Sequence, residues 1–201
     1  DRVKPFDGRK LNQRGFGAEA RIERSDFGSR PKGWRASPLA DPAAPAGWAA
    51  WHHAEGQTAR LGAATDSVKT NSTIHLGQEL INPRAGGYLA RIKLRGYGAI
   101  SELATARLEF CRYSSLAKDP TNRQTLVVHE IPAETLKSKE YVTLEFSARL
   151  DSNKPGSNFA IGRGLGVSVL LAPRRVGQPV AKPAWIEIED IEVIFTGRTI
   201  N

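Results

Sequence analysis

Cysteine is nearly missing from this chain: Cys111 is the only one in 201 residues. That excludes an internal disulfide and any metal site built from several thiolates. Lying inside an apparent strand, Cys111 reads as a small buried hydrophobe. Long apolar runs are also missing. None approaches the roughly 18 residues of a membrane helix, so no membrane span is expected. Methionine is absent and the chain opens at Asp1, which suggests a processed protein or an excised piece and leaves room for a removed leader. The motifs of common catalytic and metal sites are not found either. There is no HExxH, no Asp-rich calcium loop and no Gly-x-Ser-x-Gly elbow. His52 and His53 are adjacent, while His75 and His129 stand alone, so a transition-metal site is not expected.

What is present is ordinary globular material, 40% hydrophobic and 25% charged, enough to bury a real core. The formal charge of +8 and a pI near 9.9 favour acidic partners such as an anionic polysaccharide. The basic residues are scattered, and a solvated positive surface is the plainer alternative. Nucleic acid is not favoured, because no Arg/Lys block or aromatic interleaving appears.

One 201-residue domain is expected, loop-rich over 1–57 with a first strand near 18–24, and with its main strands over 58–197. The early part is broken by Pro and Gly too often for helices. Beyond it, apolar and polar residues alternate over Thr58–Ala63, Ser72–Leu80, Tyr88–Arg95, Ala104–Tyr113, Thr125–Ile131, Glu140–Leu150, Gly166–Leu171 and Ala184–Gly197. Period-two alternation marks strands with one wet and one buried face. In the last run the beat slips: Ile186 and Ile188 are followed by Ile191, Val193 and Phe195, one residue out of step. That predicts a β-bulge near Glu189–Asp190. The spacing predicts an all-β, antiparallel two-sheet sandwich of jelly-roll type. Ala133–Lys139 is the only helix candidate, expected as a loop or one turn.

Three stretches carry a family likeness. Gly86–Ile92, Glu140–Phe146 and Trp185–Val193 resemble successive strands of the galactose-binding-like jelly roll, the fold of many carbohydrate-binding modules found in exported bacterial proteins. The resemblance implies a non-catalytic carbohydrate-binding or accessory module, secreted or periplasmic, with the other domains of a parent protein as further partners. It also implies that a structural calcium can be held near the first and last strands, where Glu19, Glu23 and Asp190 are the available carboxylates.

Sugar faces pack on aromatic rings and planar polar groups bond the hydroxyls. The expected ligand residues are therefore Trp48 and Trp51 as a loop platform, Tyr97, and the outward arginines Arg91 and Arg95 on one strand. Asn158 and Arg163 could join them. The competing structural reading has the tryptophans covering the sandwich edge, and the basic row of Arg91, Lys93 and Arg95 paired with Glu109 or Glu145. Trp185 reads as core or rim. A polysaccharide lyase using Tyr97, His75 and Arg95, a viral coat jelly roll, and a purely architectural domain are the alternatives.

Overall fold

The computed structural model describes residues 21–22, 33–81, 83, 85–116, 118–150 and 164–197. In chain order the elements are β1 (Arg21–Ile22), β2 (Arg35–Ser37), β3 (Trp48–His53), β4 (Thr58–Ala63), β5 (Val68–Lys69), β6 (Ile74–Ile81) and β7 (Gly86–Tyr97). Then come α1 (Ile100–Leu103), β8 (Ala104–Tyr113), β9 (Arg123–Ile131), α2 (Ala133–Lys137), β10 (Val142–Leu150), β11 (Leu165–Pro173), β12 (Pro179–Val180) and β13 (Ala184–Gly197).

These strands form a two-sheet antiparallel sandwich. One sheet runs β10–β7–β13–β4–β3, and the other runs β9–β8–β11–β6–β2. The short β1 pairs with both β13 and β6 and so laces the sheets together. The chain crosses repeatedly between layers, so that β13 lies beside β7 and β11 beside β8. Strict alternation feeds the space between them. Tyr88, Ala90, Ile92 and Leu94 of β7 and Ile186, Ile188, Ile191 and Val193 of β13 face Leu108 and Phe110 of β8 and Val167 and Val169 of β11. The rings of Tyr88 and Phe110, 5.9 Å apart, join the two layers. The predicted bulge is present: the β13–β7 register shifts between Ile188 and Asp190, which leaves Glu189 as the extra residue. That one residue keeps both halves of β13 apolar on the same side.

Two sequence expectations need correction. Trp48–His53 is not loop but strand β3, paired along its length with β4. Its small alanines and lack of β-branched residues hid a regular alternation, with Trp48 and Ala50 in the core. The tryptophans Trp34, Trp48 and Trp51 are 5%, 2% and 4% exposed, so Trp48 and Trp51 cannot offer their rings as an open platform. Trp48 instead fills the core and donates its indole N–H to the Ser72 carbonyl at 3.0 Å. Ala133–Lys137 is a short helix, as the sequence allowed, and Cys111 is fully buried. Burial pushes the Cys111 thiol up to about 12, which leaves it protonated.

The helix α2 closes one end of the sandwich by seating on Gly96 of β7. A Cβ at Gly96 would stand 1.7 Å from the Leu136 carbonyl oxygen, and the Gly96 N–H donates to Ser138 at 3.0 Å. This close approach carries residues 138–141 across the edge of the first sheet. Gly96→Ala is expected to cost about 3 kcal/mol through overpacking against fixed backbone. A thermal melt should show a fall of about 6–12 °C; an unchanged melt would mean the helix seats elsewhere.

Candidate functional site

The outward face of the first sheet is where most of the sequence-predicted ligand residues meet. Register builds it in rows. Trp51, Arg60, Glu187 and Arg95 lie side by side across β3, β4, β13 and β7. In the next row Gly62 stands opposite Trp185, and Trp185 opposite Tyr97.

Glu187 is the centre of the first row. It is 3% exposed, although it sits on the outer face. Arg95 donates to its Oε1 from Nε at 3.0 Å and from Nη2 at 2.7 Å. The Tyr141 hydroxyl donates to the same oxygen at 2.6 Å. Arg60 donates to Oε2. Burial alone would raise the Glu187 carboxyl, but the bonds from Tyr141, Arg95 and Arg60 outweigh it and hold the group down at about 2. Tyr141 is pushed up by burial and by its bond to Glu187. The Arg95 guanidinium also lies over the Tyr141 ring, 4.5 Å from its centroid.

The second row is aromatic. Tyr97 stacks on Trp185 with centroids 4.0 Å apart and planes at 16°. Trp51 meets the other edge of Trp185 at 5.8 Å and 73°, and the Arg60 guanidinium sits 4.7 Å from the Trp185 centroid. Gly62 makes the room for this. At φ +145° its missing Cβ would fall 2.7 Å from the Trp185 Cα. Tyr97 is 53% exposed, so one ring face rests on Trp185 while the other is open. It is the only mostly exposed aromatic among the described residues. Trp51 therefore belongs to this face, but as a buried prop rather than a contact surface.

The basic row carries less free charge than the sequence suggests. Arg91 pairs with Glu145 at 2.7 Å and Glu192 at 3.3 Å. Lys93 pairs with Glu189, and Arg95 and Arg60 with Glu187. The cations Arg60, Arg91, Lys93 and Arg95 thus meet the carboxylates Glu145, Glu187, Glu189 and Glu192. The structural alternative held for Glu145; Glu109 lies on the other sheet. Arg95 and Tyr97 stand together here, with Arg91 at the far side of Lys93. Arg60, Tyr141, Trp185 and Glu187 join them without having been singled out. A sequence signal for Glu187 exists, since an acidic row on β13 and a basic row on β7 share one period.

Of the calcium candidates, Glu19 and Glu23 lie outside the described residues, as do Asn158 and Arg163. Asp190 sits at the bulge, opposite Lys93. No cluster of three or more potential metal ligands occurs among the described residues. No helix there is long and apolar enough to cross a membrane.

Two groups set an acid response. Glu187, held at about 2 against an ordinary 4.5, gives stability that is complete above 4.5 and lost as pH falls toward 2. His75 is lowered from 6.5 to about 4 by burial and by Arg123, with Arg107 adding to the effect. The unfolded chain takes up that proton first, so stability falls as pH drops from 6.5 to 4. Melting temperature should therefore decline in two successive stages between pH 6.5 and 2. His75→Gln should flatten the upper stage and Glu187→Gln the lower. A profile level down to pH 3 would contradict both assignments.

No protein-family model matches the sequence, and comparison with curated proteins finds no match. Solved structures do align with it. A xylan-binding module of family CBM15 is 12% identical, with 90% of this chain and 100% of that one covered and a TM-score of 0.48. The CBM22-1 xylan-binding domain of Xyn10C from Paenibacillus barcinonensis is 10% identical over 90% and 98%, TM-score 0.47. The N-terminal cellulose-binding domain of β-1,4-glucanase C from Cellulomonas fimi is 12% identical over 89% and 98%, TM-score 0.45. Each score lies below 0.5, and the ligand named for each is that protein's own.

Proposed function

We propose that this chain is a non-catalytic carbohydrate-binding module of an exported protein, and that it holds uncharged polysaccharide on the outer face of its first sheet. The observation that carries this is the Tyr97 ring, half exposed and seated flat on Trp185 beside a fixed Arg95–Glu187–Tyr141 cluster. A pyranose can lay its C–H face on the open side of Tyr97. Arg95 and Tyr141, already oriented by Glu187, present polar edges at hydroxyl height with little further ordering to do. Uncharged sugar fits better than acidic sugar because the cations around the aromatic row, Arg60, Arg91, Lys93 and Arg95, each have a carboxylate partner. Glu187, ionised down to about pH 2 and held by three donor residues, is unsuited to general-acid work.

Affinity gel electrophoresis tests the reading. Migration should be retarded by neutral xylan or β-glucan and not by a polysaccharide-free gel. Retardation by none of the neutral polymers, or by acidic polymers alone, would overturn it.

A further inference from the structure

The register of β7 fixes which way the open face of Tyr97 is turned. Tyr97 stands opposite Trp185 in the β7–β13 ladder, with the ring centroids 4.0 Å apart and the planes at 16°. That gap is close to the spacing of neighbouring strands, about 4.8 Å, so the rings stand side by side across the strands. One face of Tyr97 is spent on Trp185, and the other is turned toward the β10 side of β7. Trp185 is already engaged by Tyr97, by the Arg60 guanidinium 4.7 Å from its centroid and by Trp51 at its edge. Tyr141, in the row below, has its ring taken by Arg95 and Lys93, at 4.5 and 5.4 Å. On the β10 side the ladder has stopped: β10 begins at Val142, opposite Leu94, and residues 138–141 flank the end of β7 in its place. The Gly96 N–H donates to the Ser138 carbonyl at 3.0 Å, and Arg95 Nη1 donates to the Lys139 carbonyl at 3.4 Å. The Ser138 hydroxyl donates to the Glu140 carbonyl at 2.7 Å. Lys139 and Glu140 are the exposed residues of this wall. Past Tyr97 the strand ends, because Gly98 turns at φ +62°, where a Cβ would fall 2.4 Å from the Pro183 carbonyl oxygen. One stacking ring thus stands at the rim of the sheet, with a fixed wall across from it.

We propose that this slot reads a terminal sugar residue, the non-reducing end of a neutral branch or chain, and not the interior of a linear polymer. The inference rests on the sugar-binding reading of Tyr97 above. A polymer gripped along its length needs a stacking surface under successive residues, and one ring serves one residue. An internal residue carries a neighbour on both sides, and the wall stands where one of those neighbours would run. A terminal residue presents a free hydroxyl there instead. Lys139 supplies donors to that hydroxyl and Glu140 an acceptor. A site that bonds a hydroxyl discriminates strongly against a ligand in which it is blocked. A side branch and a main-chain end offer the same group.

Isothermal titration of the full chain tests this. The probes are tri- and hexasaccharides of the xylo and cello series, and the same trisaccharides methylated at the terminal 4-hydroxyl. Trisaccharide and hexasaccharide should bind within about twofold of each other, and the methyl cap should weaken binding about tenfold. The double variant Lys139→Ala/Glu140→Ala keeps the main-chain bonds of the wall and should melt with the parent. It should bind capped and free trisaccharides equally. Affinity gels with arabinoxylan, before and after enzymatic removal of its branches, distinguish the sources: retardation lost on debranching assigns the terminal residue to a branch, and retardation kept assigns it to a chain end. A hexasaccharide bound about tenfold tighter than the trisaccharide, equal binding of the capped sugar by the parent, or a double variant that keeps the preference would overturn the terminal-residue reading and leave Tyr97 as a platform. No binding by any of these probes would overturn both readings together.

Discussion

Replacing Glu187 with alanine is expected to destabilise the protein by about 3 kcal/mol, because it strips a part-buried ion cluster of its shared, buried centre. Glu187 is the one acceptor for Arg60, Arg95 and Tyr141 at once. Without it two guanidiniums lean toward each other across β13, and the part-buried Tyr141 hydroxyl loses its partner. Glu187→Gln keeps an acceptor oxygen and should lose less, since neutral hydrogen bonds are weaker than charge-assisted ones. In a thermal melt the alanine variant should fall by about 6–12 °C at pH 7. At pH 2 the difference from the parent should shrink, because the parent's own carboxylate is then being protonated. A variant that melts with the parent at both pH values would show that the cluster is ornamental.

Removing the Tyr97 ring should act in the opposite manner, on binding and not on stability. The side chain is half exposed and caps a strand end, so Tyr97→Ala should melt within about 2 °C of the parent. Its loss from the ligand is expected to be large. Truncating an aromatic anchor at the centre of a contact surface costs about 2 kcal/mol, or roughly thirtyfold in affinity. Tyr97→Phe keeps the ring and should keep most of the affinity. Isothermal titration with a neutral hexasaccharide separates the cases. Equal affinity for the alanine variant would remove Tyr97 from the site.

The sandwich was largely legible because its strands obey a period of two. The run Val142–Leu150 and the displaced beat of Ala184–Gly197 dictate their buried faces without help from the rest of the chain. The bulge at Glu189 was legible for the same reason, since only an added residue reconciles Ile188 with Ile191. Trp48–His53 was obscured by the prolines and glycines ahead of it. Its hairpin partner β4 supplies the regularity that its own residues conceal.

The candidate face was legible only in halves. Tyr97 and Arg95 stood out at the end of an alternating strand, but their partners come from far away. Glu187 is 92 residues from Arg95 and 127 from Arg60. Which strands become neighbours decides whether opposite charges neutralise or lie apart, and no local pattern holds that information. The same ignorance of layer order made Trp51 look open. It does face outward, yet Trp185 and the sheet around it leave the indole no free surface.

The most direct measurement is the response of the tryptophan indole N–H resonances to a neutral xylo- or gluco-oligosaccharide. The account predicts that the Trp185 resonance moves with saturation while those of Trp34 and Trp48 stay fixed, and that Tyr97→Ala abolishes the movement. An unmoved Trp185 at millimolar sugar, or a shift that persists without Tyr97, would contradict it.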